Sequence, residues 1–342
     1  MSVLTVGPGK AFSSLSAAVA ASAAGDTILV DTGLYTDDFT TVSHALTIQG
    51  VGGMAHFRAV ASPPNGKAIL TVRADLTLDR LELSGAAVYD ANGAGIRYEA
   101  GTLAISNSWF HDNENGLLAA PNATGVITID RSEFSNNGNG TGLTHNIYVN
   151  RINTLSITNS YFHGVDTGHE IKSRAENTII SFNRIDDGPD ESASYSIDLP
   201  NGGNAFVTSN LIVKGPLAQN WTFISFGAES PVYAGSGLVV RDNFFVNDMI
   251  SGDPTGVRNP TGAPVEITGN AFYGVSEAQL AIGPVLAANN LFLELPGPTT
   301  LPGQPNAVPE PGTALLGVAL LALGVLRRRA ARRRAHTAVM AS

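Results

Sequence analysis

The chain of 342 residues carries 37 glycines, only 14% charged residues and no cysteine, so neither a disulfide framework nor a thiolate metal site can form. Its formal net charge of -9 conceals six arginines close to the C-terminus, Arg327, Arg328, Arg329, Arg332, Arg333 and Arg334. Without them 14 cations face 29 acids, a net -15 on residues 1–326, and so acidic a body argues against nucleic acid as its partner.

The N-terminal stretch TVGPGKAFSSLSAAVAASAAGDTILVDTGLYTDD reads as a strand, a helix and a further strand. Phe12, Leu15 and Val19 share one helical face, and Gly25 can end the helix. Beyond it the chain repeats. LAISNSWFHDN from Leu103, ITIDRSEFSNN from Ile127, LSITNSYFHGV from Leu155, TIISFNRIDDG from Thr178, AFVTSNLIVKG from Ala205, LVVRDNFFVND from Leu238 and VEITGNAFYGV from Val265 align on one large apolar position. That column comprises Leu83, Phe110, Phe134, Phe162, Ile185, Ile212, Phe245, Phe272 and Phe292, at intervals of 20 to 33 residues. An irregular interval with β-type alternation, and no room for helices between the runs, predicts the coils of a solenoid.

Two positions before these anchors stand Ser108, Ser132, Ser160, Asn183, Asn210, Asn243, Asn270 and Asn290. Asparagine tolerates the left-handed backbone of a sharp bend and stacks by hydrogen bonding, so this column predicts an Asn ladder at a corner. The aromatic column is read as stacked core.

This pattern resembles the right-handed parallel β-helix of the pectate-lyase-like superfamily over roughly residues 3–295. The resemblance implies an all-β solenoid of about nine to eleven coils, with the N-terminal helix covering its open end. Coils stacked ~4.8 Å apart make a rod on the order of 45 Å long. A monomer is expected.

A second strand precedes the Asn-bearing runs, and four of these align on Ile147, Ile171, Ile197 and Ile224. If these isoleucines face inward, alternation turns Tyr148, Lys172, Asp198 and Ser225 outward, flanked by Asn146, Glu170 and Ser196 on one side and Asn150 and Arg174 on the other. Enzymes of the superfamily work on such a face, many of them on acidic polysaccharides. By that resemblance a lyase assigns Lys172 as base, Arg174 as the grip on a uronate carboxylate, and Tyr148 or His169 as proton donor to the leaving oxygen. A hydrolase would instead use the carboxylate pair Glu170 and Asp198, and an epimerase would share the proton abstraction. The competing reading is a solvated ladder of ion pairs on a binding or matrix protein, with His145 and His169 as a structural stack. Asp186, Asp187, Asp190 and Glu191 form an acidic turn that is either solvated or able to hold Ca²⁺ through hard oxygen ligands. The longest interval, Ile212 to Phe245, contains Asn220, Trp221 and Glu229 and is expected to border the groove.

The domain division places the β-helix at 1–295 and a Pro/Gly-rich linker at 296–308. From Gly312 to Leu326 the sequence GTALLGVALLALGVL is uncharged, follows Val308-Pro309-Glu310-Pro311 and precedes the arginines. Fifteen residues are short for a bilayer span, which takes about 20, but arginine stems snorkel and extend it. The three-part order resembles the PEP-CTERM sorting signal, assigned to 309–334 with a disordered tail at 335–342. It implies export with the body outside the cytoplasm, transient anchoring in the inner membrane through Gly312 to Leu326, and processing by an exosortase-type membrane protease, leaving the protein at the cell surface or in the extracellular matrix. MSVLTVGPGKAF is not the basic-then-apolar leader such export needs, so the leader is expected outside this sequence.

Overall fold

The structure, a computed structural model, describes residues 1–190 and 192–293. Each coil consists of short strands meeting at corners. One coil comprises Ile147–Val149, Ile152–Thr158 and Tyr161–His163; the next comprises Ile171–Ser173, Asn177–Ser181 and Arg184–Asp186. Equivalent strands of successive coils pair in parallel. One face is a ten-stranded ladder from Thr40–Val42 to Ala281–Ile282. The other two faces join into a 21-stranded sheet, because Asp26–Thr36 and Leu46–Arg58 run on through the corner between them. The described residues form a right-handed parallel β-helix: the repeat predicted a solenoid, and the family resemblance implied its type.

The helix Leu15–Ala21 begins on the Ser14 side chain, which accepts the Ala17 N–H. It buries Leu15, Ala18 and Val19 in the main core and packs on the first strands of the solenoid. It stops earlier than the sequence indicated. Ser22 caps it, and Gly25, at φ +87°, instead turns the chain into the first long strand.

The aligned apolar positions form an unbroken file from Phe57 through Leu83, Phe110, Phe134, Phe162, Ile185, Ile212, Phe245 and Phe272 to Phe292, each opposite the next across a strand pair. Ring centroids of Phe110 and Phe134 lie 4.6 Å apart, and those of Phe245 and Phe272 likewise 4.6 Å. Removing one such ring costs about 3–5 kcal/mol, since the stacked neighbours cannot collapse into the gap.

The asparagine ladder is present, with one difference. Asn183 Oδ1 accepts the Ser160 N–H, Asn210 Oδ1 accepts both the N–H and Nδ2 of Asn183, and Asn243, Asn270 and Asn290 continue the row. Ser132 and Ser160 play the acceptor part in earlier coils. The left-handed backbone belongs to the residue before each rung, including Asn107, Arg131, Asn159, Phe182, Ser209 and Asp242, all at φ between +45° and +60°. The ladder residue therefore supplies the hydrogen bonds and its predecessor supplies the bend.

Candidate active site on the ten-stranded face

The outward column forms in the register expected from alternation. Tyr148 lies opposite Lys172, Lys172 opposite Asp198, and Asp198 opposite Ser225, while Ile147, Ile171, Ile197 and Ile224 are buried behind them. Lys172 Nζ lies 3.0 Å from Asp198 Oδ2 and 3.7 Å from Glu229 Oε1. Arg174 spreads its guanidinium over three partners. Nε donates to the Tyr148 hydroxyl at 3.0 Å, Nη1 to Asn201 Oδ1 at 2.7 Å and Nη2 to Glu229 Oε2 at 2.7 Å. Burial works to lower the Arg174 pKa, but the Glu229 hydrogen bond and Tyr148 outweigh it and raise it. Burial would push Glu229 up, yet Arg174 and Lys172 hold it below the usual carboxylate range. Asp198 is raised by burial, with Lys172 opposing.

The two histidines stack beside this column, His145 on His169 with centroids 4.8 Å apart and planes within 7°. Their Nδ1 atoms accept backbone N–H groups, His145 from His169 and His169 from Tyr195, which leaves Nε2 as the protonated nitrogen of each neutral ring. Burial, reinforced by Lys172, brings His145 down to about 3 and His169 well below its ordinary value. At Gly168, just before His169, an added Cβ would collide with the Thr144 carbonyl. His169 Nε2 still comes within 3.6 Å of Asp198 Oδ2, so its proton faces the site.

Glu170 does not reach the groove. It lies at the corner before its strand and turns inward, where it is fully buried. An interior amide row ends on it. Asn113 Nδ2 donates to Asn137 Oδ1, Asn137 Nδ2 to Asn146 Oδ1, and Asn146 Nδ2 to Glu170 Oε2. Burial and the neighbouring Asp187 raise Glu170 well above the usual carboxylate range. Asp198 and Glu170 thus face different surroundings, the one the outward column and the other the interior row.

The acidic turn is partly spoken for. Asp186 Oδ2 pairs with Arg184 Nη2 at 2.7 Å, and Asp186 Oδ1 accepts the Gly188 N–H. Asp187 pairs at 3.3 Å with Lys214, both groups fully buried, and burial drives each toward its neutral form. Asp190 has a polar partner of its own, and Glu191 lies outside the described residues. Two of the four proposed calcium ligands therefore already face cations. Trp221 is exposed, at the start of the strand Thr222–Phe226. The sequence placed Glu229 only at the groove border; that it bridges the two cations is not visible from spacing, because it arrives on the long loop after that strand.

No protein-family model matches the chain, and no curated protein matches it in sequence. Among solved structures the chain is similar to pectate lyase Pel9A, with 15% identity, a TM-score of 0.52, and coverage of 85% of this chain and 78% of that one. It is also similar to a mutant of a PL6 family alginate lyase, at 16% identity and TM-score 0.41, spanning 86% of this chain but 40% of that one. A GH136 lacto-N-biosidase from Eubacterium ramulus follows at 10% identity and TM-score 0.46, covering 86% and 68%. The first of these establishes the shared parallel β-helix. Among the described residues no helix is long and apolar enough to cross a membrane; Val308-Pro309-Glu310-Pro311 and Gly312 to Leu326 lie outside them.

Proposed function

We propose that the protein acts on an acidic polysaccharide at the Tyr148, Lys172 and Asp198 column, as a lyase. The observation that carries this reading is the convergence of Lys172, Arg174 and Tyr148 on adjacent rungs. Arg174 engages a uronate carboxylate and so acidifies the adjacent C–H; Lys172 takes the proton; the glycosidic C–O bond breaks as the new double bond forms. The Tyr148 oxygen already accepts from Arg174 Nε, which leaves its own O–H free to protonate the departing oxygen. Similarity to a pectate lyase supports a polysaccharide substrate. Incubation with a panel of uronate-containing glycans should release unsaturated products absorbing in the ultraviolet, and Lys172→Ala should abolish that release. Absence of product across the panel with Lys172→Ala indistinguishable from the parent would sink the lyase reading, and product analysis separates it from epimerisation.

One observation favours a second reading, a matrix or adhesion protein that holds the glycan without cutting it. Lys172 and Arg174 both sit in carboxylate pairs, as they would in a binding surface. That reading predicts glycan retention without product.

We further propose that the segment from Val308 onward is a PEP-CTERM-type signal, on the strength of its three-part order. The body then lies outside the cytoplasm, anchored in the inner membrane until an exosortase-type protease releases it to the cell surface. Fractionation of cells producing the protein with and without residues 308–342 tests this: loss of the membrane-bound precursor on truncation is expected, and an unchanged distribution would contradict it. Calcium at Asp186, Asp187, Asp190 and Glu191 is the remaining proposal, checked by comparing glycan binding with and without EDTA.

A further inference from the structure

A separate cluster lies on the outer surface of the 21-stranded sheet, on coils that precede the site above. His56 stands directly opposite Glu82 across one strand pair, and His111 lies on the coil after Glu82, one residue past the phenylalanine file. Glu82 Oε1 is 3.3 Å from His56 Nδ1 and 3.1 Å from His111 Nε2, and these ligand atoms all lie within 4.8 Å of one another. We propose that His56, Glu82 and His111 bind a divalent transition metal ion of the zinc class.

The contacts behind the triad support this more than its composition does. In metal sites the second nitrogen of each histidine is normally held by an oxygen, which fixes the tautomer and aims the first nitrogen at the ion. Both histidines meet that condition. His56 Nε2 lies 2.7 Å from Ser84 Oγ, and His111 Nδ1 lies 2.7 Å from Asp112 Oδ2. For His111 the proton inventory is telling. Each of its nitrogens faces a carboxylate oxygen, which can only accept, so the ring needs either a proton on both nitrogens or a cation on one of them. A cation on Nε2, with Nδ1–H donated to Asp112, satisfies both. Trp109 stacks on the His111 ring with centroids 3.9 Å apart and fixes its plane, and the Trp109 indole is itself held by Ser135 Oγ at 2.8 Å.

The spacing fits as well. At metal–ligand distances of about 2.0–2.2 Å, ligand atoms on a tetrahedral ion lie ~3.3 Å apart, close to the two observed separations. Two imidazoles and one carboxylate suit zinc and its neighbours and disfavour calcium or magnesium, which take oxygen donors. Three protein ligands leave one coordination position, and the partial exposure of His56 and Glu82 turns it toward solvent.

Calorimetric titration of the untagged full-length protein with Zn²⁺, paralleled by the visible absorption of Co²⁺, tests the site. One equivalent should bind with micromolar or tighter affinity, give the strong tetrahedral Co²⁺ spectrum, and resist a large excess of Ca²⁺. His56→Gln and His111→Gln should each weaken binding by about tenfold or more. Asp112→Asn, an exposed change that asparagine's tolerance of the left-handed backbone there accommodates, should weaken it by about tenfold while leaving the thermal melt of the metal-free protein unchanged. Absence of one-equivalent binding overturns the assignment. So does binding that survives all three substitutions, since it must then reside elsewhere on the chain.

Discussion

Arg174 and Glu229 are 55 positions apart in sequence and meet at 2.7 Å, the arginine fixed on a strand rung and the glutamate carried in on a loop. Glu229 also reaches Lys172, so one half-exposed carboxylate occupies both cations to which a uronate would be drawn. In the proposed reaction Glu229 stands where a substrate carboxylate would go. Glu229→Gln should therefore tighten binding of an acidic glycan rather than weaken it. Exposed pairs contribute about 0.2–1 kcal/mol, which corresponds to a gain of up to ~5-fold. Surface plasmon resonance on immobilised glycan measures it; weaker binding would assign Glu229 a direct role in holding substrate.

Arg174→Lys keeps the charge but not the fork that spans Tyr148, Asn201 and Glu229. Lysine offers a point charge and cannot hold three planar partners together. Glycan affinity should fall about tenfold, and the loss should persist in high salt, because the charge that salt screens is kept and only the fork is lost. Unchanged affinity would remove Arg174 from the site.

Buried ionisable groups bound the stability of the rod from two directions. Glu170 is raised above its ordinary 4.5, so its contribution is present below pH 4.5 and is lost as pH rises toward the folded value. His145 is lowered from 6.5 to about 3, so its contribution is present above pH 6.5 and is lost as pH falls toward 3. Glu170→Gln should flatten the alkaline fall in Tm, and His145→Asn, which retains an acceptor for the His169 N–H, should flatten the acid fall. Melting curves from pH 4 to pH 9 show whether each substitution acts on its own limb.

Asn243→Ala removes the acceptor for the Asn210 N–H and amide and leaves Asn270 Oδ1 and the Val207 carbonyl short of a donor. Unsatisfied buried groups cost about 1–3 kcal/mol each, so a loss of about 2–5 kcal/mol is expected. Asn243→Ser should recover part of it, since Ser132 and Ser160 accept the same backbone N–H in their own coils. Equal loss in both variants by urea denaturation would contradict this account of the ladder.

What the sequence made legible follows from period. Strands buried on one face alternate strictly, so aligning Phe110 with Phe134 and Ile171 with Ile197 placed both the core file and the outward column of Tyr148, Lys172 and Asp198. Positions at corners were not legible, because alternation ends where the chain bends. Glu170 adjoins that column in sequence yet turns inward, and the Asp187 and Lys214 pair joins two such corners. Glu229 sits on a loop whose path no repeat encodes. The cluster of His56, Glu82 and His111 could have been found by reading the residues on either side of the apolar anchors as files of their own. Phe57, Leu83 and Phe110 were the guide, and their outward neighbours carry the chemistry.

Every amide-to-amide bond in the asparagine row runs the same way, donor on the earlier coil and acceptor on the later one. The row is therefore polar, and each amide strengthens the next through its alignment. A coil inserted or deleted anywhere along it preserves the chain of bonds provided it carries one acceptor two residues before its apolar anchor. Intervals can then vary from 20 to 33 residues without disturbing the stack, because the extra length leaves at the corners as loops. Rod length and loop content become independently adjustable, and the rule that lets a long loop bring Glu229 to Arg174 also lets that loop be exchanged without refolding the rungs beneath it.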